Sequence, residues 1–550
     1  MKMTDSKIRD ILLSEDYISD EDIKKAEEFA ASHHTSIVDY LLAENLLTKD
    51  LFGQAIAESY GVDYADLNSF QPSRDQVLKI PENLAKKYNA VLFNENDSEV
   101  VVATDDPEAD GLRVDLNEVF GRQNIKLAYS LSEDIASAFI HYRKALETRF
   151  VKIISEDRKV APELIREILE DAILFHASDI HFEPQGKEVL IRFRIDGVLH
   201  DAGRLPIQHY ELILNRIKVQ SHLRIDEHFS AQDGAMRHTR PGGTVDLRVS
   251  IVPTLEGEKV VIRVLSEYVR SFTLMDLGLS YSQHDFILAS ARKPFGMVLV
   301  TGPTGSGKTT TLYSLVKMIN RPELNITTIE DPVEYKLTGI NQIQVNPRTN
   351  LTFAQGLRSI IRQDPNIILV GEIRDRETVE IALNAALTGH LLFSTFHAND
   401  APTAIPRLLD MSAEPFLLAS TLNLIIAQRL LRKVCDSCRY SFPAPVSWLE
   451  DRHPGLSRYF SAKSATLYQG KGCNACNMTG YRGRVGIFEF IRVTPEMQDL
   501  ILRHPSSNQL WSLARSQGSL SLFEDGLDKV RTGITSLEEL MRVASPPQNI

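Results

Sequence analysis

A chain of 550 residues, 43% hydrophobic and 24% charged, has the balance of a soluble globular protein and length for roughly three or four domains. Its formal net charge of −12 argues against tight sequence-independent binding to nucleic acid, which draws its affinity from many Lys and Arg contacts to phosphate. No apolar run reaches the roughly 18 residues of a membrane helix, the longest candidate, 416–427, being broken by Ser420, Thr421 and Asn423; with no signal-peptide core in MKMTDSKIRD, a cytoplasmic protein is expected, peripheral to a membrane only through partners.

Residues 1–70 carry apolar side chains at helical spacing: Ile8, Ile11 and Leu12; Ile23, Ala26 and Phe29; Ile37, Tyr40 and Leu41; Leu51, Ala55 and Ile56. Ser19 and Thr48 precede acidic residues, as helix starts do, so this segment reads as a helical N-terminal adaptor. Residues 71–143 mix helix and strand, with a strand at 99–103 and a closing helix through Ile135, Phe139 and Tyr142. With no constellation of reactive side chains, this small α/β domain is expected to bind a partner. The charged stretch 144–159 reads as a linker.

A further α+β unit spans 160–271. A helix at 162–177 leads into SDIHFEP, followed by strands at 189–194, 245–252 and 259–265 with the β-branched content that sheets favour. Arg192 and Arg194, two apart on one strand, share a face. That pair suits an arginine finger reaching a neighbouring subunit's nucleotide; ordinary surface ion pairing is the competing reading.

From 272 to 550 the chain reads as a nucleotide-hydrolysing domain. An apolar strand at 297–300 precedes Gly302, Pro303, Thr304, Gly305, Ser306, Gly307, Lys308 and Thr309, the octet GPTGSGKT, with Thr310 opening a helix marked by Leu312, Leu315, Val316 and Ile319. Strand, glycine loop and helix in that order form a phosphate loop: backbone N–H groups face a triphosphate, Lys308 reaches its β- and γ-phosphates, and Thr309 offers a hydroxyl to Mg²⁺. ATP and Mg²⁺ are the expected ligands.

Three later strands end in polar residues: 326–329 in Glu330, Asp331 and Glu334; 367–370 in Glu372; 391–394 in His397. In an open parallel sheet such ends gather beside the phosphate loop. Glu372 is expected to hold Mg²⁺, Glu330 to orient or deprotonate the attacking water, and His397 to sense the γ-phosphate; His390, on the other side of its strand, is a weaker candidate. The four cysteines form two pairs, Cys435/Cys438 and Cys473/Cys476, flanking 34 residues. That spacing suits a closed structural Zn²⁺ site, with a redox CxxC the competing reading. The insertion 439–472 reads as poor in apolar residues.

These blocks, including RFRIDGVL, GEKVVIRVL, GPTGSGKTTTLY, LRSIIRQDPNIILVGEIRD, ALTGHLLFSTFHAND, QRLLRKVC and CNACNMTGYRGRVGIFEF, resemble the type II secretion and type IV pilus extension ATPases over roughly 160–545. The resemblance implies a RecA-like ATPase core preceded by a PAS-like α+β sub-domain, a homo-hexamer with the sub-domain's arginines acting in trans, and an inner-membrane platform protein as partner. It also implies assembly of a type IV pilus or a secretion pseudopilus as the function. Ala398 stands where the family commonly has Thr. Lys7-Ile8-Arg9 stands where relatives have Arg-Leu-Gly, so a cyclic dinucleotide is not expected as a ligand. The alternative is a RecA-like nucleic-acid translocase or DNA-uptake motor, against which the acidic balance and the lack of a basic, aromatic-interleaved stretch both count.

Overall fold

The computed structural model describes residues 5–14, 17–33, 36–43, 46–67, 70, 72–96, 98–121, 124–142, 149–150, 153–154, 160–240, 243–265, 273–460, 463–473, 476 and 478–547. Contacts divide the chain into two units, Met1–Tyr17 with Thr48–Ser271, and Ile18–Leu47 with Phe272–Ile550. Most of the expected linker 144–159 and the expected boundary at 271/272 lie outside the described residues.

The apolar periodicity at the start of the chain yields helices Asp5–Ser14, Asp20–His33, Ile37–Ala43 and Lys49–Ser59. Thr48 caps the last of these, its side chain accepting from the Leu51 amide, and the Ser19 hydroxyl accepts from the Asp22 amide at 3.2 Å. Beyond them, β1 (Asp63–Tyr64), β2 (Ala90–Glu95), β3 (Glu99–Thr104) and β4 (Asn124–Tyr129) form a sheet in the order β1-β4-β3-β2. The expected strand at 99–103 is β3. The expected closing helix is shorter, Ser132–Ala138, followed by a 3₁₀ turn, Phe139–Tyr142.

The rest of the first unit is an antiparallel sheet of β5 (Asp179–Gln185), β6 (Glu188–Ile195), β7 (Val198–Pro206), β8 (Gln232–Arg240), β9 (Gly243–Thr254) and β10 (Gly257–Leu265). Its order is β7-β6-β5-β10-β9-β8, so the first and last strands meet at the centre, as a PAS-like arrangement requires. Alternation fits β6 well. Val189, Ile191 and Phe193 join a core with Leu164, Ile168, Ile213 and Ile217 from helices Val160–Leu174 and Tyr210–Gln220, leaving Arg192 and Arg194 for the other face.

The second unit is built on β11 (Gly296–Thr301), β12 (Ile326–Glu330), β13 (Asn341–Gln344), β14 (Ile367–Val370), β15 (Leu391–Phe396) and β16 (Leu422–Val434). After a small antiparallel pair, β17 (Arg439–Pro445) and β18 (Ser464–Gly470), β19 (Tyr481–Arg492) returns beside β16. The order is β13-β12-β14-β15-β11-β16-β19, parallel from β13 to β16. Helices cover both faces, which is why β11, β12, β14 and β15 are buried at every residue. One strand, β15, separates the phosphate-loop strand from the Glu372 strand, the arrangement of a RecA-like core. The apolar run at 416–427 divides between a helix, Pro415–Thr421, and the start of β16. Among the described residues no helix is long and apolar enough to cross a membrane.

The insertion between the cysteine pairs differs from expectation. Ala444, Leu449, Leu456, Ala465 and Leu467 are all buried in the main core cluster, and Tyr459 packs on Phe523 with ring centroids 5.2 Å apart. The insertion thus shares the apolar core of the sheet it leaves.

Behind the end of β12, Gly356 in the Phe353–Ile361 helix lies so close that a Cβ there would stand 1.9 Å from Ile329 Cδ1. Gly356→Ala would gain about 0.5–1 kcal/mol of helix propensity, while overpacking against a buried Ile costs about 1–3 kcal/mol. The variant is therefore expected to be less stable, with a lower denaturant midpoint and an unchanged slope.

Candidate active site

The phosphate loop takes its shape from a close floor. A Cβ on Gly302 (φ +149°) would lie 2.4 Å from the carbonyl oxygen of Gln428, and one on Gly307 (φ +87°) would lie 2.9 Å from the Gln428 side-chain nitrogen. Only glycine fits both places. Gln428, on β16 and 1% exposed, also accepts a hydrogen bond from the Thr311 hydroxyl at 2.7 Å. Nothing local in the sequence singles it out, because it meets the loop across more than a hundred residues.

The loop opens the Lys308–Ile319 helix, whose N-terminal amides and dipole suit an anion. The Lys308 ammonium donates to the carbonyls of Gly302 at 2.9 Å and Pro303 at 3.0 Å. Burial lowers its pKa and the Glu372 carboxylate opposes that shift. The Ser306 hydroxyl is buried with no hydrogen-bond partner among the described residues. A glycine cradle, an orphaned hydroxyl and a buried ammonium together fit a nucleotide phosphate.

Parallel register carries the other candidates to the same edge. Thr301 aligns with Phe396, Val370 with Ser394, and Ile329 with Val370, so 302, 397, 371 and 330 all emerge at one end of the sheet. Just past those ends, His397 Nε2 lies 3.0 Å from Glu372 Oε2, and Arg374 bonds the other oxygen of Glu372. Burial pushes the Glu372 carboxyl up, but hydrogen bonds from Arg374 and His397 outweigh it and hold the group below its usual value. Arg374 also approaches Asp331 at 3.7 Å.

The loop 397–403 is held mainly through its backbone. The Thr301 hydroxyl donates to the Ala398 carbonyl at 2.9 Å and accepts from the Ala398 amide at 2.8 Å. Arg407 donates to the His397 carbonyl and Arg429 to that of Asn399, the latter at 3.2 Å, while Glu489 accepts from the Ala401 amide at 2.9 Å. Because Ala398 is gripped by its peptide groups, the absence of a threonine side chain there leaves the loop in place.

Two sequence expectations change. Glu330 stands at the end of β12 as expected, yet it is 2% exposed and its carboxylate takes hydrogen bonds from Tyr313, Thr328 and Gln342. The two glutamates paired by the sequence thus belong to separate networks. His390 stands at the opposite end of β15 from the phosphate loop, its Nδ1 2.9 Å from the carbonyl of Ala385. The structure does not bring it to the site.

Arg192 and Arg194 do share a face of β6, where Arg192 pairs with Glu183 at 2.6 Å and Arg194 with Asp179 at 3.3 Å. From β10, Lys259 meets Glu183 at 2.7 Å and Arg263 meets Asp179 at 3.3 Å. Four cations thus gather around two carboxylates on that face, with Asp201 of β7 across from Arg192 in register.

The ligand atoms of Cys435, Cys438, Cys473 and Cys476 all lie within 4.8 Å of one another, with Sγ separations of 3.8 Å for 435/473, 3.9 Å for 438/476 and 3.7 Å for 473/476. A metal tetrahedron with Zn–S bonds of about 2.3 Å has sulfur edges near 3.8 Å, so the donor set fits zinc. Amides of Cys473 and Gly480 point at Cys476 Sγ, each at 3.2 Å.

Residues 155–542 match the family described as Type II/IV secretion system protein, and residues 60–149 match the MshEN domain. The chain is 36% identical to the type IV pilus assembly ATPase PilB of Myxococcus xanthus, over 98% of this chain and 99% of that one. It is 43% identical to the type II secretion system protein E of Pseudomonas aeruginosa, over 76% and 82% of the two chains. Among solved structures it resembles the Legionella pneumophila ATPase DotB, with a TM-score of 0.53 and 22% identity over 70% of this chain and 97% of that one, a likeness of fold. The expectation against a cyclic dinucleotide rests on Lys7-Ile8-Arg9, outside the matched 60–149. MshEN domains are a cyclic-di-GMP-binding family, so that expectation loses its support.

Glu489 offers a measurement of how the 397–403 loop is anchored. Burial, with Asp400 adding to it, pushes its carboxyl up to about 7 against the Ala401 amide and Arg429. A carboxyl raised in the folded state contributes stability that is fully present below its unfolded pKa and lost as pH rises through the folded value. The shift corresponds to about 3 kcal/mol between pH 4.5 and 7. Denaturant titrations should show wild-type stability falling over that window, and Glu489→Gln should flatten it.

Proposed function

From the premise that this chain belongs to the Type II/IV secretion system protein family, we propose that it hydrolyses ATP to power the assembly of a type IV pilus or a type II secretion pseudopilus. The single observation that carries this is the meeting at one sheet edge of the phosphate loop, Glu372 and His397 in a chain similar over nearly its whole length to a pilus assembly ATPase.

In this reading the loop amides and Lys308 bind the β- and γ-phosphates, leaving the carbonyls of Gly302 and Pro303 that Lys308 now holds. Thr309 and Glu372 would hold Mg²⁺, which would supply positive charge to the phosphates. Glu372 is fit for that role because Arg374 and His397 keep it ionised. Glu330 orients or deprotonates the attacking water; burial raises its pKa, which makes it a stronger base than an exposed carboxylate. His397 registers the γ-phosphate and passes its position to the loop 397–403.

Completion of the site falls to Arg192 or Arg194 of an adjacent subunit in a homo-hexamer, which supplies the cation that a phosphoryl transition state needs. The gathering of Arg192, Arg194, Lys259 and Arg263 on one sheet face supports this. The ring works on the cytoplasmic side of an inner membrane through a platform protein. Zinc held by Cys435, Cys438, Cys473 and Cys476 closes the neck of the 439–472 insertion.

Lys308→Ala is expected to abolish ATP turnover and Glu372→Gln to bind ATP without hydrolysing it, as read by steady-state ATPase and nucleotide-binding assays; wild-type turnover in either would remove that residue from the site. Mixed rings of Lys308→Ala and Arg192→Ala/Arg194→Ala subunits should recover part of the lost rate, because some sites then combine an intact loop with intact arginines. Nucleic acid should not stimulate the activity.

For the cysteines, protein purified without added metal should carry about one zinc per chain. The double variant Cys473→Ser/Cys476→Ser should lose it. Unchanged metal content in that variant would place the metal elsewhere.

A further inference from the structure

Tyr313 has no place in the chemistry described so far, yet among the described residues it is the largest side chain buried completely, at 0% exposure. It stands one turn beyond Thr309 on the phosphate-loop helix. Packing alone would be met by Phe, since the ring already sits edge-on to Tyr335 with centroids 4.8 Å apart. A hydroxyl taken out of water without partners costs several kcal/mol, and here it has three. It donates to Glu330 Oε2, and it accepts from the Glu334 amide and from Gln342 Nε2, each at 3.3 Å. One atom thus joins the phosphate-loop helix, the end of β12, the loop after it and β13.

We infer that Tyr313 is a positioning residue for ATP hydrolysis, holding the Glu330 carboxylate ionised and aimed, and tying it to the helix that carries the phosphate loop. The inference rests on Glu330 acting as the water-activating base.

The surroundings of Glu330 show why such a donor is needed. Burial pushes its carboxyl up, and the Glu334 carboxylate adds to that; donors from Thr328 on its own strand, Tyr313 on the helix and Gln342 on β13 push it down. From β14 it meets the backbone of Gly371, where a Cβ would lie 3.2 Å from the Glu330 Cα. Among these neighbours no cation contributes, so hydrogen bonds alone oppose the effect of burial on the carboxylate. Tyr313 is a sound donor for this, because burial and the Glu330 charge push its own pKa far up. Removing one hydrogen bond to a buried charge then has two effects: the base is protonated at higher pH, and its carboxylate is free to turn.

The test uses the full-length protein, with kcat and KM for ATP measured from about pH 6 to 9. Tyr313→Phe should lower kcat at neutral pH about ten-fold or more, the value of one hydrogen bond to a charged group. KM should stay within about two-fold, and the acid limb of kcat should move to higher pH, so that part of the loss returns in alkali. Gln342→Met, at a half-buried position, should shift the limb in the same direction by less. ATP binding at wild-type affinity shows that each variant is folded. In a Glu330→Gln background, already slow, Tyr313→Phe should cost little more.

Wild-type kcat and an unmoved acid limb in both donor variants, alongside an inactive Glu330→Gln, would overturn the role of Tyr313 while leaving Glu330 as the base. Wild-type turnover in Glu330→Gln would overturn the base assignment, and this inference with it. A loss in Tyr313→Phe that appears in KM alone would assign the residue to the phosphate loop and would also overturn it.

Discussion

The candidate site depends on one constraint: the four central parallel strands of the seven-stranded sheet, β12, β14, β15 and β11, are buried along their whole length, so side chains that must reach a ligand leave them only at their ends. Register then decides which residues meet. Thr301, Phe396, Ser394 and Val370 lie across from one another in neighbouring parallel strands, and the residues that follow them become neighbours without being close in sequence. The bond exchange between Thr301 and Ala398 extends this order one step past the sheet. A shift of the phosphate loop is therefore felt beside His397 through the two short hydrogen bonds of the Thr301 hydroxyl.

Features set by local pattern were legible in the sequence. The octet at 302–309 sits between strand and helix because its glycines permit the turn, and the apolar runs at 297–300, 326–329, 367–370 and 391–394 match buried strands to within two residues. Period-two spacing placed Arg192 and Arg194 on a common face. The two cysteine pairs foretold their convergence. In each case the physical cause lies within a few residues.

What the sequence hid depends on partners far along the chain. Glu330 reads as the twin of Glu372, but Thr328 on the same strand face and Tyr313 from the helix draw its carboxylate into a network of its own. His390, the weaker candidate on the other side of the same strand, stays at the end away from the phosphate loop, bonded to the Ala385 carbonyl. β13 is only NQIQ, and Gln428 lies within LNLIIAQRLLRKV; neither carries a pattern that marks its contact with the site. The carboxylates facing Arg192 and Arg194 come from β5, and the extra cations from β10, some 65 residues or more away in sequence.

The neck of the 439–472 insertion has a consequence for how this region can change. Its two sides meet through backbone bonds, Cys435 N to the Gly480 carbonyl at 2.9 Å and Lys471 N to the Cys438 carbonyl at 3.1 Å, and Gly470 and Gly480 pass so closely that a Cβ on the first would lie 2.1 Å from the oxygen of the second. The ends of β16 and β19 are joined there by contacts in which only Gly470 and Lys471 of the 34 intervening residues take part. For a flexible loop, each doubling of length adds only about 0.6 kcal/mol to the entropy of closure. Insertions in the exposed turns of the lobe can therefore be accommodated at little cost to the sheet that carries the phosphate loop, whereas its core-packed residues and either glycine at the crossing are far harder to replace.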